Sequence, residues 1–238
     1  MSFLSVLFLC SFCFAGGAVA ASLLKRARST LRKLRPDDSI ALPVDTLHYA
    51  RKVGQFAAFA ARGEIIFIGD SRVEYVDWNE VLERSDVCNR GISGDTTAGI
   101  VQRLQVSLPG AVRVCIVQAG VNDVWRGVPN NVIQQNYQQI IRGIVEEKRA
   151  DVILTAVVLV DEQRAALNLE IARLNTVLLA MCQNPGLHWL DLNETLAPAG
   201  SLESRFTDDG THLTGEAYKA IAEPLRKSLE KVLAQRPA

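Results

Sequence analysis

The chain has 238 residues, and its 26 basic and 26 acidic side chains give a formal net charge of zero. This length suits one α/β domain with a substantial core. The charges are uneven, because residues 25–35 carry six basic side chains and no acidic one, which leaves a balance of −6 over the rest of the chain. An acidic body with 6% aromatic residues argues against nucleic acid as the main partner.

The first 22 residues are apolar and uncharged. One interpretation is a secretory signal peptide, with the small residues 18–20 as its cleavage site and a secreted or periplasmic protein as the product. Another is an uncleaved membrane anchor, because about 20 apolar residues can span a bilayer. The basic residues behind an anchor would keep the domain in the cytoplasm. A helix packed on the domain is a third interpretation, and the sequence leaves all three open.

Residues 23–44 are predicted to be a basic segment and linker that precede one domain over residues 45–238. Residues 23–34 have the spacing of a basic amphipathic helix that would associate with a membrane surface, although a solvated linker explains the same charges. The stretch from Pro36 to Pro43 is polar and bounded by proline, which indicates a linker.

The domain is predicted to begin with a helix over residues 45–62 and to continue as alternating strands and helices. Short apolar runs predict five strands, at residues 64–69, 87–91, 112–117, 152–160 and 187–191. Helical spacing occupies residues 96–108, 131–148, 163–182 and 214–234, and Thr214 is the expected N-cap of the last helix. This alternation predicts a mainly parallel sheet with helices on both faces.

The five cysteines give no disulfide framework. Two lie in the apolar leader, and Cys88, Cys115 and Cys182 have neither paired nor metal-binding spacing. Cys88 and Cys115 fall in predicted strands or at their ends, so we expect these two to be buried free thiols.

Polar and glycine-rich clusters follow the first, second, third and fifth predicted strands, at residues 69–71, 91–95, 120–123 and 209–212. Ligands of parallel α/β sheets bind beyond the carboxyl ends of the strands. Four clusters that are distant in the chain are therefore expected to converge on one edge of the sheet.

These clusters contain the parts of an activated serine. A serine hydroxyl needs a base of near-neutral pKa, and the imidazole needs a carboxylate to orient it. Ser71 follows the first strand, and Asp209 lies three residues before His212 in one loop, whereas His48 and His188 lie in an N-terminal helix and an apolar strand. An ordinary turn at Ser71 and a helix-capping turn before Thr214 are the structural alternatives.

Three groups are candidate donors to an oxyanion: the backbone N–H groups of Ser71 and Gly94 and the side-chain amide of Asn122. A turn glycine and a capping asparagine are the alternatives for the latter two. Ser93 is a poorer nucleophile, because Asp95 stands where the Gly-x-Ser-x-Gly elbow requires glycine.

Taken together, these residues resemble the SGNH (GDSL) hydrolase superfamily over about residues 64–233. The resemblance implies a three-layer α/β/α, flavodoxin-like fold, with Ser71 as nucleophile, Asp209 and His212 as its partners, Gly94 and Asn122 in the oxyanion hole, and no cofactor or metal. The chain looks most similar to small bacterial esterases that include platelet-activating-factor acetylhydrolase-like and lysophospholipase-like enzymes. The matching blocks are Ile68-Gly69-Asp70-Ser71, residues 89–97, Gly120-Val121-Asn122-Asp123 and residues 208–213.

The chain departs from the family pattern directly after the nucleophile. Arg72 stands where the family often has leucine or isoleucine, and a charge at the cleft mouth would influence substrate choice. Trp125 and Arg126 are candidates to line the acyl or leaving-group side, with surface packing as the alternative.

The expected activity is hydrolysis of a carboxylic ester through an acyl-enzyme. A short acyl group, such as acetyl on a carbohydrate or small alcohol, is favoured because the chain has no evident lid and few aromatic residues. Lysophospholipid and thioester substrates stay open. A metal-dependent phosphoesterase, with ligands among Asp70, Asn122, Asp123, Asp209 and His212, and a non-catalytic envelope-binding module are the alternatives from other classes.

Overall fold

A computed structural model of the chain describes residues 46–108 and 110–235. The predictions made for the apolar leader, the basic segment and the linker concern residues outside this part. No helix among the described residues is long and apolar enough to cross a bilayer.

The centre of the domain is a five-stranded sheet in the order β2-β1-β3-β4-β5, and every neighbouring pair is parallel. The predicted α/β fold is confirmed, and the sheet is parallel throughout. Gly69 pairs with both Gly91 and Gln118, so the first three strands end level with one another. The strands are β1 (Ile65–Gly69), β2 (Val87–Gly91), β3 (Val114–Gln118), β4 (Asp151–Thr155) and β5 (Leu187–Leu190).

Helices cover both faces of the sheet. They are α1 (Thr46–Ala58), α2 (Ser71–Glu74), α3 (Trp78–Leu82), α4 (Thr97–Ser107), α5 (Val121–Trp125), α6 (Asn130–Arg142), α7 (Ala165–Met181), α8 (Asn193–Leu196) and α9 (Gly215–Gln235). A π-helical turn, Gly143–Glu147, continues α6, and single 3₁₀ turns lie at Glu162–Arg164 and Ser204–Phe206. Thr214 caps α9 as predicted, since its hydroxyl accepts the Ala217 N–H at 3.3 Å.

The hydrophobic core has two halves because successive strand side chains point to opposite faces. Ile66 and Ile68 of β1 pack on the side of α4, α6 and α7. Ile65 and Phe67 pack on the side of α3, α8 and α9, where Phe67 stacks on Trp78 at a centroid distance of 3.8 Å. This packing fixes β1, the strand that leads into Ser71, at the centre of the domain.

Strand β4 ends at Thr155, although the apolar run that predicted it continues to Val160. Residues 156–158 and 160 are buried, and asparagine side chains replace a strand partner along this segment. Asn175 bonds both backbone groups of Val157, and Asn168 bonds both backbone groups of Val160. The apolar pattern therefore indicates burial here and not a strand. The asparagine side chains form the hydrogen bonds that the buried backbone groups require.

The three described cysteines are free. Cys115 is fully buried, as predicted, whereas Cys88 is only half-buried, and so is Cys182.

Candidate active site

Ser71 is the first residue of α2 and follows β1 after a single intervening residue. Asp70 caps this helix, and its side chain accepts the Arg72 N–H at 3.0 Å. Gly69 is required at the strand end, since a Cβ there would lie 2.1 Å from the Gln118 carbonyl oxygen. Burial raises the pKa of the Asp70 carboxyl, and the nearby Arg72 charge opposes the shift.

The hydroxyl of Ser71, the ring of His212 and the carboxylate of Asp209 form one chain of hydrogen bonds. His212 Nε2 lies 3.1 Å from Ser71 Oγ, and His212 Nδ1 lies 2.5 Å from Asp209 Oδ2. The other carboxylate oxygen of Asp209 accepts the N–H groups of Thr211 and His212 at 2.9 and 2.8 Å. The loop thus positions the carboxylate beside the imidazole, and the imidazole contacts a serine that lies 141 positions earlier in the chain.

A glycine makes this tight loop possible. Gly210 has φ +82°, and a Cβ there would lie 2.1 Å from the side chains of Asp161 and Arg164. The Gly210 carbonyl also accepts the Asp161 N–H at 2.9 Å, which ties the loop to the segment after β4.

The Asp209 carboxylate is held in its charged form. Partial burial acts to raise its pKa, but the hydrogen bonds from the His212 ring and from two backbone N–H groups outweigh burial and lower the pKa far below its usual value. Asp209 is therefore ionised throughout the neutral pH range.

The three candidate oxyanion donors are brought to the same end of the sheet. Gly94 follows β2 with φ +73°, and its carbonyl accepts Arg126 Nη2 at 3.0 Å. Asn122 donates one side-chain N–H to the Asp95 carbonyl at 2.8 Å. Within residues 46–108 and 110–235, neither the Ser71 N–H nor the Gly94 N–H donates a hydrogen bond to another backbone group. Both N–H groups can therefore donate to a ligand.

Buried charges support the loop that carries Gly94. Asp95 and Arg103 form a fully buried ion pair at 2.7 Å, and Arg103 also donates to the Gly69 carbonyl at 3.0 Å. Burial raises the pKa of Asp95 to about 6, with Arg103 opposing the shift. The sequence pattern gives no sign of this role, because an arginine within a helix is ordinarily exposed.

Asp123 is a second buried carboxylate, and it holds the segment that begins α4. It accepts the Thr97 hydroxyl at 2.6 Å and the Thr97 N–H, and burial raises its pKa to about 6. Asp123 therefore bonds to Thr97 and joins α5 to the first residue of α4.

A family model of the GDSL-like Lipase/Acylhydrolase family matches residues 67–220, which is more than half of the chain. The chain belongs to this family. The predicted resemblance is confirmed, and the protein is a hydrolase of the GDSL-like type.

The individual relatives of this GDSL-like hydrolase carry different names. Platelet-activating factor acetylhydrolase IB subunit alpha2 of Gallus gallus is 27% identical over 183 residues, covering 73% of this chain and 79% of the relative. N-acylneuraminate cytidylyltransferase of Streptococcus agalactiae serotype III is 27% identical over 181 residues, 76% of this chain, but the match spans 42% of that protein's length. A Streptococcus pneumonia protein described as a candidate platelet activating factor superposes with a TM-score of 0.69 and 25% identity, covering 89% and 99% of the two chains.

Arg72 does not line the cleft mouth of the GDSL-like hydrolase, so the prediction of a substrate-facing charge is wrong. The side chain is 1% exposed. Its guanidinium donates to the backbone carbonyls of Thr211, Val158 and Leu159 at 2.9, 2.6 and 3.3 Å. An arginine supplies several donors in a fixed fork, and here they join α2, the helix that begins at Ser71, to the loop of His212.

Replacing Arg72 by methionine is expected to lower the free energy of unfolding by about 3–5 kcal/mol. The change leaves three backbone carbonyls without their donor and a buried Asp70 without its nearest positive charge. Urea denaturation followed by circular dichroism measures the loss.

Arg226→Met is the matched control for that loss. Arg226 forms ion pairs with exposed Glu83 and Glu223 on the surface, which typically contribute about 0–1 kcal/mol. Equal stability of the two variants would contradict a stabilising role of the three hydrogen bonds that Arg72 donates.

Trp125 lies at the end of α5 and is 51% exposed. The Arg164 guanidinium lies 5.4 Å from the centre of its ring, and Arg164 in turn pairs with Asp161 at 2.8 Å. Trp125 thus contacts the same segment that holds the His212 loop, and a substrate-lining role for it stays a prediction.

The remaining histidines have carboxylate partners elsewhere. His188 lies 3.4 Å from Asp151 near the start of β5, away from the strand ends that carry Ser71. His48 lies 3.0 Å from Glu74. Among the residues that the structure describes, no three His, Cys, Asp or Glu side chains are grouped so that they could hold a metal ion.

Proposed function

We propose that the protein is a serine esterase that hydrolyses carboxylic esters through an acyl-enzyme on Ser71. The observation that supports this proposal is the continuous chain of hydrogen bonds from Ser71 Oγ through His212 to Asp209. A nucleophile within hydrogen-bonding reach of a base, with the base oriented by a third group, is the arrangement that acyl transfer requires.

In the first half of the reaction, Ser71 Oγ attacks the ester carbonyl carbon while His212 Nε2 takes the hydroxyl proton. The resulting imidazolium is stabilised by the ionised Asp209. His212 then gives the proton to the leaving alcohol as the carbon–oxygen bond breaks, which leaves the acyl group on Ser71. Water, deprotonated by His212, attacks the acyl-enzyme and releases the acid, and the proton returns to Ser71 Oγ.

The negative charge that develops on the carbonyl oxygen needs donors in place before the reaction. We assign this role to the N–H groups of Ser71 and Gly94 and to the side-chain amide of Asn122, of which one N–H is already held by the Asp95 carbonyl. That bond orients the amide in advance. A preorganised donor of this kind typically contributes about 3–4 kcal/mol to transition-state stabilisation.

For the substrate, we propose short acyl esters, with acetyl as the preferred acyl group and a carbohydrate or small alcohol as the leaving group. The Gallus gallus relative is named an acetylhydrolase, which supports a two-carbon acyl group.

A series of p-nitrophenyl esters tests this proposal. The value of kcat/KM is expected to be highest for the acetate and to fall at least about tenfold by the octanoate, because a site that fits a two-carbon acyl group would accommodate a longer chain only at a cost in free energy. A preference for the octanoate would contradict the short acyl group and favour lysophospholipid-like substrates. A complete lack of turnover across the series would contradict the esterase assignment.

A further inference from the structure

A cavity of about 310 Å³ lies beside the catalytic residues and has no role in the mechanism above. Its lining residues are His48 of α1, Glu74 and Tyr75 at the end of α2, and Ser93 in the loop after β2. Its size falls at the lower end of ligand sites, which are commonly about 300–1,000 Å³. The cavity therefore suits a small ligand.

Two contacts place this cavity next to the reacting groups. The Tyr75 ring lies 5.4 Å from the His212 ring, centre to centre. Ser93 directly precedes Gly94, and the Ser93 N–H is held by Glu74 Oε2 at 2.5 Å. A group bound in the cavity would thus lie beside the imidazole that protonates the leaving alcohol.

The walls of the cavity are rich in hydrogen-bonding groups. The Tyr75 and Ser93 hydroxyls bond each other at 2.7 Å, which uses one hydroxyl hydrogen of the pair and leaves the other, with several oxygen lone pairs, for a ligand. Tyr75 is also 58% exposed, so its ring offers an apolar face beside the hydroxyls. This combination matches a ring that carries hydroxyl groups.

The charge in the cavity is already balanced. The Glu74 carboxylate lies 3.0 Å from His48 Nε2 and 3.1 Å from Lys52 Nζ. Burial acts to raise the pKa of Glu74, but these partners and the Ser93 N–H lower it overall, so the group stays an acceptor at neutral pH. A phosphate would face a carboxylate, and a quaternary ammonium would compete with Lys52 for Glu74.

We propose that this cavity, bounded by His48, Glu74, Tyr75 and Ser93, is the alcohol subsite and binds an uncharged, hydroxyl-rich leaving group such as a sugar ring. The inference rests on the proposed esterase function. It adds the class of alcohol and the residues that recognise it, and it assigns α1 a part in specificity through His48.

The test compares two acetate esters that differ only in what the alcohol offers to the cavity. 6-O-acetylglucose carries ring hydroxyls, and cyclohexylmethyl acetate has a ring of the same size without them. The ratio of their kcat/KM values measures recognition of the hydroxyls, since the acyl group and the chemistry are shared. The intact protein is expected to favour the sugar ester at least about tenfold, the effect of one or two hydrogen bonds.

Two variants remove groups from the cavity, and one matched variant removes the same kind of group elsewhere. Tyr75→Phe and His48→Gln are each expected to lower the ratio about fivefold or more. His188→Gln replaces a histidine that also pairs with a carboxylate, that of Asp151, but lies on the edge strand β5, which β3 and β4 separate from β1. It is expected to leave the ratio within about twofold.

The outcomes separate this inference from the function on which it rests. If the intact protein hydrolyses both esters with a ratio near one, or if neither cavity variant changes the ratio, the alcohol subsite is refuted while the esterase stands. If neither ester is hydrolysed and the p-nitrophenyl esters are not either, the esterase proposal falls, and the subsite falls with it.

Discussion

Ser71→Ala is expected to lower kcat for p-nitrophenyl acetate by roughly 10⁵-fold while the protein stays folded. The change removes one oxygen atom, and with it the only atom proposed to bond the acyl group. Removing the nucleophile of a comparable catalytic set costs about 10⁶ in kcat, and the oxyanion donors and substrate binding retain a residual acceleration over water. Steady-state kinetics measures the loss, and circular dichroism checks the fold.

Ser93→Ala is the informative comparison, because Ser93 is the other hydroxyl beside Gly94. Its Oγ is bonded to the Tyr75 hydroxyl at 2.7 Å, whereas the Ser71 Oγ faces the imidazole. Ser93→Ala is expected to retain at least about a tenth of kcat for p-nitrophenyl acetate. Loss of turnover in Ser93→Ala together with activity in Ser71→Ala would show that the nucleophile is misassigned.

His212→Ala is expected to have nearly the same effect as Ser71→Ala, and the double variant should be no worse than either single variant. The two side chains act as one unit, since the hydroxyl is a weak nucleophile without a base and the base has no proton to take without the hydroxyl. Effects of residues that act as a unit do not add.

The kcat values of the two single variants and the double variant, measured on p-nitrophenyl acetate under identical conditions, give the coupling between Ser71 and His212 directly. Independent contributions would make the double variant slower by the product of the two single losses, and that result would contradict a shared role. Asp209→Asn provides a graded comparison, with an expected loss of roughly 10²–10⁴-fold, because Asp209 only orients and stabilises the imidazole and is 54% exposed at its side chain.

Much of the fold and the candidate site could be predicted from the sequence because the deciding signals are local. Each strand is a short apolar run, and each polar cluster follows directly after one. In a parallel sheet the carboxyl ends of the strands share one edge. The convergence of Ser71, Gly94 and Asn122 could therefore be predicted without knowledge of any side-chain contact. Asp209 and His212 are three residues apart and share a loop.

The role of Arg72 could not be predicted in the same way. Its partners are backbone carbonyls 86, 87 and 139 positions away. Every residue has a backbone carbonyl, so residue type does not indicate which carbonyl will accept. A charged residue next to a nucleophile suggests a contact with substrate, but the guanidinium turns into the protein because three acceptors satisfy it there.

The cavity beside α1 could not be predicted from the sequence for a similar reason. His48, Glu74 and Ser93 belong to three separate elements, and neither their spacing nor their type indicates that they meet. Their association depends on how α1 packs, through long-range contacts such as the bond from the Tyr49 hydroxyl to the Gly99 carbonyl at 2.8 Å.

Labelling with a fluorophosphonate, followed by peptide mapping, tests most directly whether Ser71 is activated by His212. We expect a single adduct on Ser71 in the intact protein, strongly reduced labelling of His212→Ala, and loss of ester hydrolysis in proportion to the labelled fraction. An adduct on another residue such as Ser93, or full ester hydrolysis by protein whose Ser71 is completely labelled, would contradict it.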